Sequence, residues 1–366
     1  AQAILAQDFV PGAVASTPNM LVSMTPIEST LGGLLIGIAA STAMLFDGKI
    51  AGISGIAGGF ARAALVNTDP AGTTWKGIFL VGLMFGGMCN LQFNADFAYP
   101  GVLCLPWWWY AGAATCVGFG TRLGTGCTSG HGVCGLARLS VRSWAAVPTF
   151  MGVAMGSAIL TAKSENFSIV PIIWPKSLQF QLGAVVAGII LPCMVKLVPT
   201  SRPHSSAFVA GFLFGLGLGI SGMTSQSKVL GFLRMNGTWD PSLAFVMGGA
   251  LTVTFPAFAL TRREGAQPLT EGSKFEIPKT WPINIQLILG NILFGIGWGL
   301  AGICPGPALA AVIPYMIHSS DGIGNLFLLN LFFIFLTWLV CDRFLAWCEQ
   351  AGATKAKEAS EPLMQS

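Results

Sequence analysis

The 366-residue chain is 53% hydrophobic and only 9% charged, with a mean hydropathy of +0.68 and a formal net charge of +4. Soluble domains carry about 25% charged residues, so the composition excludes a mostly wetted surface and points to an all-α, multi-pass integral membrane protein held in a lipid bilayer. The cations are scattered without a basic run, which argues against nucleic acid as a partner. The nine cysteines form no Cys-x-x-Cys and have no His at zinc spacing, which argues against a structural metal.

In chain order, the sequence starts at Ala1 without Met, which reads as removal of an initiator or a leader. Residues 1–29 hold Asp8 and Glu28 but no Lys or Arg, and read as an N-terminal extramembrane segment. A membrane helix needs about 17–25 apolar residues. Nine stretches fit: 30–46, 77–93, 107–121, 145–161, 178–196, 205–221, 241–260, 283–301 and 322–342. With the N-terminus outside and the C-terminus inside, 15 of the 19 Lys and Arg fall on the inner side, as the positive-inside rule asks. Trp107, Trp108, Trp109 and Tyr110 read as an interfacial aromatic belt. Residues 343–366 read as a polar tail, disordered after Gln350. The sequence does not say which membrane is spanned.

A glycine pattern recurs four times: Gly37–Gly55, Gly118–Gly130, Gly215–Gly222 and Gly295–Gly306. Gly120 precedes Cys127 by seven residues, as Gly297 precedes Cys304, and Asp69-Pro70 is echoed by Asp240-Pro241. The order therefore repeats, with 30–161 as a first membrane repeat, 162–204 as a connector containing one helix, and 205–342 as a second repeat. A single connecting span turns the second repeat over in the membrane. Inverted repeats with four central re-entrant loops are a transporter arrangement, with substrate held near the midplane. Glycines that only tighten helix packing would not explain a Gly-Cys-Thr-Ser-Gly and a Cys-Pro-Gly-Pro at two loop tips.

Loop two offers Gly126, Cys127, Thr128, Ser129, Gly130, His131 and Cys134; loop four offers Gly302, Cys304, Pro305 and Gly306. Glycine-rich backbone ahead of a helix exposes N–H groups to an anion, and the helix dipole adds to the attraction. A thiol at the centre can donate weakly to a polarisable sulfur without trapping it, and conduction requires that release. Cys134 reads either as support for the loop or as packing. His131 reads as a hydrogen-bonded structural residue ahead of a proton carrier. Cys89, Cys104, Cys116, Cys193, Cys341 and Cys348 read as small hydrophobes. Arg122, Arg138 and Arg142 beside loop two, and Lys228 and Arg234 after loop three, either concentrate anions at the mouths or set topology. For Arg138 and Arg142 topology is the preferred reading.

The stretches GTGCTSGHGVCGLARLS (124–140) and FGIGWGLAGICPGPAL (294–309) resemble signatures of the YeeE/YedE sulfur-transport membrane proteins. SGMTSQSKVLGFL (221–233) with WDPSLAFVMGGAL (239–251) resembles the second of a pair of half-size members, so the chain resembles such a pair fused. The resemblance implies an hourglass-shaped inverted-repeat fold, thiosulfate as substrate, and relay of that anion between thiols at Cys127 and Cys304. Better-known thiosulfate importers have a third cysteine in loop one. Here that region reads Gly48-Lys49-Ile50-Ala51-Gly52-Ile53, and loop three supplies the thioether of Met223.

The expected function is transport of thiosulfate or a related sulfur-containing anion, with no enzymatic step and no cofactor. No Walker motif is present, so a gradient or a partner would drive it. That partner would be a sulfur-handling soluble protein or a larger membrane complex. Three other readings stand beside it: a sulfurtransferase with a persulfide at Cys127, a soft-metal permease, and a non-transporting subunit of a larger membrane complex.

Overall fold

The structure is a computed structural model that describes residues 24–66, 70–93, 106–161, 178–196, 202–235, 239–277, 283–318 and 323–360. The N-terminal segment up to Ser23, Asp69, Cys104, Lys163, Lys176, Lys279 and the last six residues lie outside the described residues, as do the side chains from Cys348 onward. Every regular element among the described residues is helical.

The first half runs α1 (Pro26–Asp47), α2 (Ile53–Val66), α3 (Pro70–Phe93), α4 (Trp107–Leu123), a π-helical segment (Thr128–Gly135) and α5 (Val141–Thr161). Helix α6 (Leu178–Lys196) follows. The second half runs α7 (Arg202–Ile220), α8 (Gln226–Leu233), α9 (Ser242–Leu260), α10 (Ile285–Ala301), α11 (Pro305–His318) and α12 (Ile323–Ser360). Each expected apolar stretch coincides with a helix. Six stretches are long and apolar enough to cross a bilayer: Pro26–Asp47, Val141–Thr161, Leu178–Lys196, Ser242–Leu260, Ile285–Pro314 and Leu328–Trp347. His204–Ile220 is apolar but shorter.

Two boundaries depart from expectation for local reasons. Helices α1 and α3 begin several residues early because Pro26 and Pro70 occupy the first helical position, where a missing N–H costs nothing. The segment expected to be disordered after Gln350 continues α12 to Ser360. Its repeated Ala, Lys and Glu are strong helix formers.

Packing joins the halves. Helix α3 lies on α7 as α1 lies on α9, and α10 lies on α5 as α4 lies on α12. Taking the long helices of each half in chain order, the first of one half packs on the second of the other, and the third on the fourth. Helices α1 and α7 meet directly, as do α4 and α10. At the α3–α7 seam a Cβ on Gly215 would collide with the Leu83 carbonyl, and one on Gly86 with the Phe212 carbonyl. Only glycine lets these backbones touch. On the other side, Phe294 stacks on Trp298 with centroids 6.0 Å apart, and Phe150 meets Phe294 edge-on at 5.2 Å.

Left-handed residues end three of the helices that lead into loops: Gly48 (φ 69°), Gly222 (φ 75°) and Gly302 (φ 65°). The fourth hinge is Thr125 (φ 58°), a conformation that a β-branched residue rarely adopts. Its hydroxyl accepts a hydrogen bond from Arg142 Nη2 at 2.9 Å.

The α9–α10 connection straps the end of α1. Leu269 N–H donates to Leu45 O at 2.9 Å and Glu276 N–H to Gly48 O at 2.8 Å. Asp47, buried beneath this strap, accepts from Trp75 Nε1 at 2.9 Å, Ser206 Oγ at 2.7 Å and Thr270 Oγ1 at 3.1 Å. One carboxylate thus ties α1, α3, α7 and the strap together.

Candidate functional site

The four short helical segments start close to one another. Ile53 N–H, at the head of α2, donates to Ser129 Oγ of the π-helical segment at 3.1 Å. Thr128 Oγ1 lies 3.3 Å from Cys304 Sγ, the residue just before α11. The loop-four hinge at Gly302 packs on the Gln226 backbone of α8. Amides in the first turn of a helix have no acceptor inside the helix, so their convergence builds a centre suited to an anion.

Two buried thiols occupy that centre. Cys127 caps the π-helical segment and Cys304 precedes Pro305 at the first position of α11. The thiols are neighbours. Cys127 Sγ is 3.2 Å from Ser129 Oγ, and the Ser54 N–H and Gly306 N–H lie near the Cys127 and Cys304 sulfurs respectively. Loop one, which has no cysteine, thus meets the Cys127 sulfur through the Ser54 backbone N–H.

Cavities open on both sides. The larger, about 560 Å³, is lined by Lys49, Lys76, Arg138 and Arg142, with Gly126, Gly130 and His131 at its inner end and Glu276 as its acidic member. Lys49 Nζ is 3.7 Å from a Glu276 carboxylate oxygen and 5.1 Å from the Trp75 ring centroid. Arg138 leaves Nε and Nη1 without a partner, so its positive charge is not spent on a protein carboxylate. The smaller cavity, about 300 Å³, is lined by Thr128, Ser129, Met223, Cys304 and Gly306 among aromatic and aliphatic side chains. The smaller cavity reaches Cys304 and Ser129, and the larger reaches Gly126 and Gly130 on either side of Ser129 in the chain, while Cys127 itself lines neither.

The remaining singled-out residues divide as follows. His131 is buried with both ring nitrogens engaged, Nε2 at 3.0 Å from Gly124 O and Nδ1 at 3.0 Å from Ser143 Oγ. A carbonyl can only accept, so Nε2 carries a proton, and the ring holds loop two in shape. Cys134 is fully buried beside the Ala51 backbone and, like Cys127, lines neither cavity. Lys228 is buried as well, its ammonium donating to Thr25 Oγ1, and Arg234 is buried. Neither sits at a mouth. Arg122 pairs with Asp342, as does Arg62 at 3.0 Å. Of the aromatic quartet, Trp107 and Trp108 are exposed, while Tyr110 is buried with its hydroxyl donating to Gln226 Oε1 at 3.0 Å. Sequence reasoning missed Ser54 and Lys76, and set Arg138 and Arg142 aside as topology signals. Their common feature, facing one cavity from separate stretches of the chain, is not local in sequence.

The family profile described as "Sulphur transport" matches residues 11–159, and that of a family of unknown function matches 205–322. The two matches fall on the two halves. A "Probable transporter" of Xylella fastidiosa (strain Temecula1 / ATCC 700964) is 44% identical over 123 residues, 33% of this chain and 77% of that protein. A second "Probable transporter" of the same strain is 40% identical over 130 residues, 35% of this chain and 89% of that protein.

Proposed function

Because the chain belongs to the sulphur transport family, we propose that it moves a small sulfur-containing anion, thiosulfate or a close relative, past Cys127 and Cys304. The observation behind this reading is the meeting of short-helix N-termini at two buried thiols. Amides and the hydroxyls of Thr128 and Ser129 suit the oxygen end of such an anion, replacing part of its hydration shell. The soft terminal sulfur suits the thiols, whose S–H is a weak donor. An anion handed from one thiol to its neighbour exchanges one weak bond for another, so no step is deep enough to trap it. Lys49, Lys76, Arg138 and Arg142 raise the local anion concentration on their side. The chain acts in this reading as a transporter and catalyses no reaction.

The topology proposed for this task is nine crossings, four in each of two inverted repeats with α6 as connector, N-terminus outside and C-terminus inside. Two observations support it: exchange of equivalent elements preserves the packing pairs, and Lys49, Arg138, Arg142 and Glu276, from three loops assigned inside, surround one cavity. The proposed repeats are 30–161 and 205–342, with 1–29 ahead of them, 162–204 between and 343–366 behind, although α1 starts within the first flank and α12 runs on into the last.

A second reading, a membrane sulfurtransferase, is favoured by the contact of the two thiols. The Cys127 thiolate would attack the outer sulfur of thiosulfate, sulfite would leave with the electron pair of the cleaved S–S bond, and Cys127 would hold a persulfide.

Uptake of sulfur-35 thiosulfate into liposomes, wild type beside Cys304→Ala, tests the transporter. Uptake by wild type that collapses in Cys304→Ala supports it. Wild-type uptake equal to empty liposomes sinks thiosulfate as the substrate, and a persulfide adduct at Cys127 without any uptake selects the second reading.

A further inference from the structure

The smaller cavity poses a chemical problem that the thiol pair does not solve. Apart from the hydroxyls and thiol at its inner end, its wall is apolar. Phe232 of α8, Val147 and Met151 of α5, and Ala244, Met247 and Gly248 of α9 belong to this apolar lining. An unpaired anion is costly in such surroundings, and a volume of about 300 Å³ lies at the lower end of small-molecule sites.

The cavity reaches the side of the bundle. Ala244 and Gly248 are exposed, and a Cβ on Gly248 would meet nothing within 4 Å. Both bordering helices are membrane-length, and both turn large apolar residues outward: Trp144, Ile159 and Leu160 on α5, Phe245, Phe255 and Leu260 on α9. Met151 lies at the middle of α5, and Val147, Met247 and Gly248 lie at least one full turn inside the helix ends. At that depth the outward neighbour of a membrane helix is hydrocarbon.

We propose that this cavity is a lipid site: an acyl chain of a surrounding glycerophospholipid inserts between α5 and α9 and ends beside Thr128 and Cys304. The methionines suit such a guest, because unbranched thioether side chains adapt to an irregular chain. A seated acyl chain fills the space next to Cys304, so lipid occupancy and anion passage through this cavity exclude each other. The site itself does not depend on which anion is carried.

The test uses full-length protein in liposomes containing phosphatidylcholine with a diazirine on one acyl chain, irradiated and mapped by mass spectrometry. Wild type should give adducts on the segments containing Met151 and Met247. In Gly248→Trp, whose indole fills the opening, those adducts should fall by about tenfold. Adducts on the outward residues Leu160 and Phe255 should stay unchanged, which reports a folded protein. Ala244→Trp should repeat the result. Adducts confined to the outward residues in wild type, or insensitive to both tryptophans, would overturn the proposal. So would chain-to-chain cross-links at Met247, which would assign the opening to a second copy.

Discussion

Ser129→Ala removes both contacts of one hydroxyl. Ser129 Oγ accepts from Ile53 N–H at 3.1 Å and lies 3.2 Å from Cys127 Sγ. Ile53 is the first residue of α2, so no carbonyl of its own helix can accept its amide. Alanine removes the acceptor without adding bulk and leaves the N–H buried and unpaired, at about 1–3 kcal/mol. That energy corresponds to a factor of about 5–150 in the ratio of docked to undocked states. It acts on the state in which α2 is docked against the thiol loop. Initial thiosulfate uptake in proteoliposomes should therefore fall at least about fivefold, while far-UV circular dichroism keeps the wild-type helical signal. Ser129→Thr retains the oxygen and should recover most of the rate. Wild-type uptake by Ser129→Ala would refute the claim that this hydroxyl couples loop one to the thiols.

Arg138→Gln combined with Arg142→Gln should raise the KM for the anion severalfold and leave the maximal rate near wild type. The effect should shrink as salt shortens the Debye length from about 10 Å at 0.1 M to about 3 Å at 1 M. Gly215→Val forces a side chain into the Leu83 carbonyl and should lower the unfolding temperature, with overpacking costing about 1–3 kcal/mol or more. Gly112→Val, where a Cβ meets nothing within 4 Å, should melt like wild type. A membrane-impermeant thiol reagent applied outside should label Cys304 faster than Cys127, and the opposite order would reverse the proposed orientation.

The helices were legible because about twenty apolar residues in a row have few other fates. The thiol loops were legible because cysteine between glycines at helix starts is a local pattern. What escaped the sequence depends on distant partners. Asp47 drew no attention beside a hydrophobic run, yet it accepts from Trp75, Ser206 and Thr270, three residues far apart in the chain. Lys228 looked like a charge at a loop mouth, but Thr25, about 200 positions earlier, receives its ammonium inside the protein. The hinge at Thr125 was hidden for another reason. Left-handed turns ordinarily take glycine, and the Arg142 guanidinium that meets the Thr125 hydroxyl lies 17 residues on.

The basic cavity and the apolar one give the proposed pathway two unlike faces. Fixed charges at one mouth deepen the well for an anion there, so that side fills at lower concentration. They cannot choose a direction, because the deeper well slows departure by the same factor that it favours arrival. Net flow at equal concentrations must come from the membrane voltage, worth about 2.3 kcal/mol per charge at 100 mV, or from a coupled ion. What the cationic mouth does set is the working range: the scarcity at which one face still loads while the other idles.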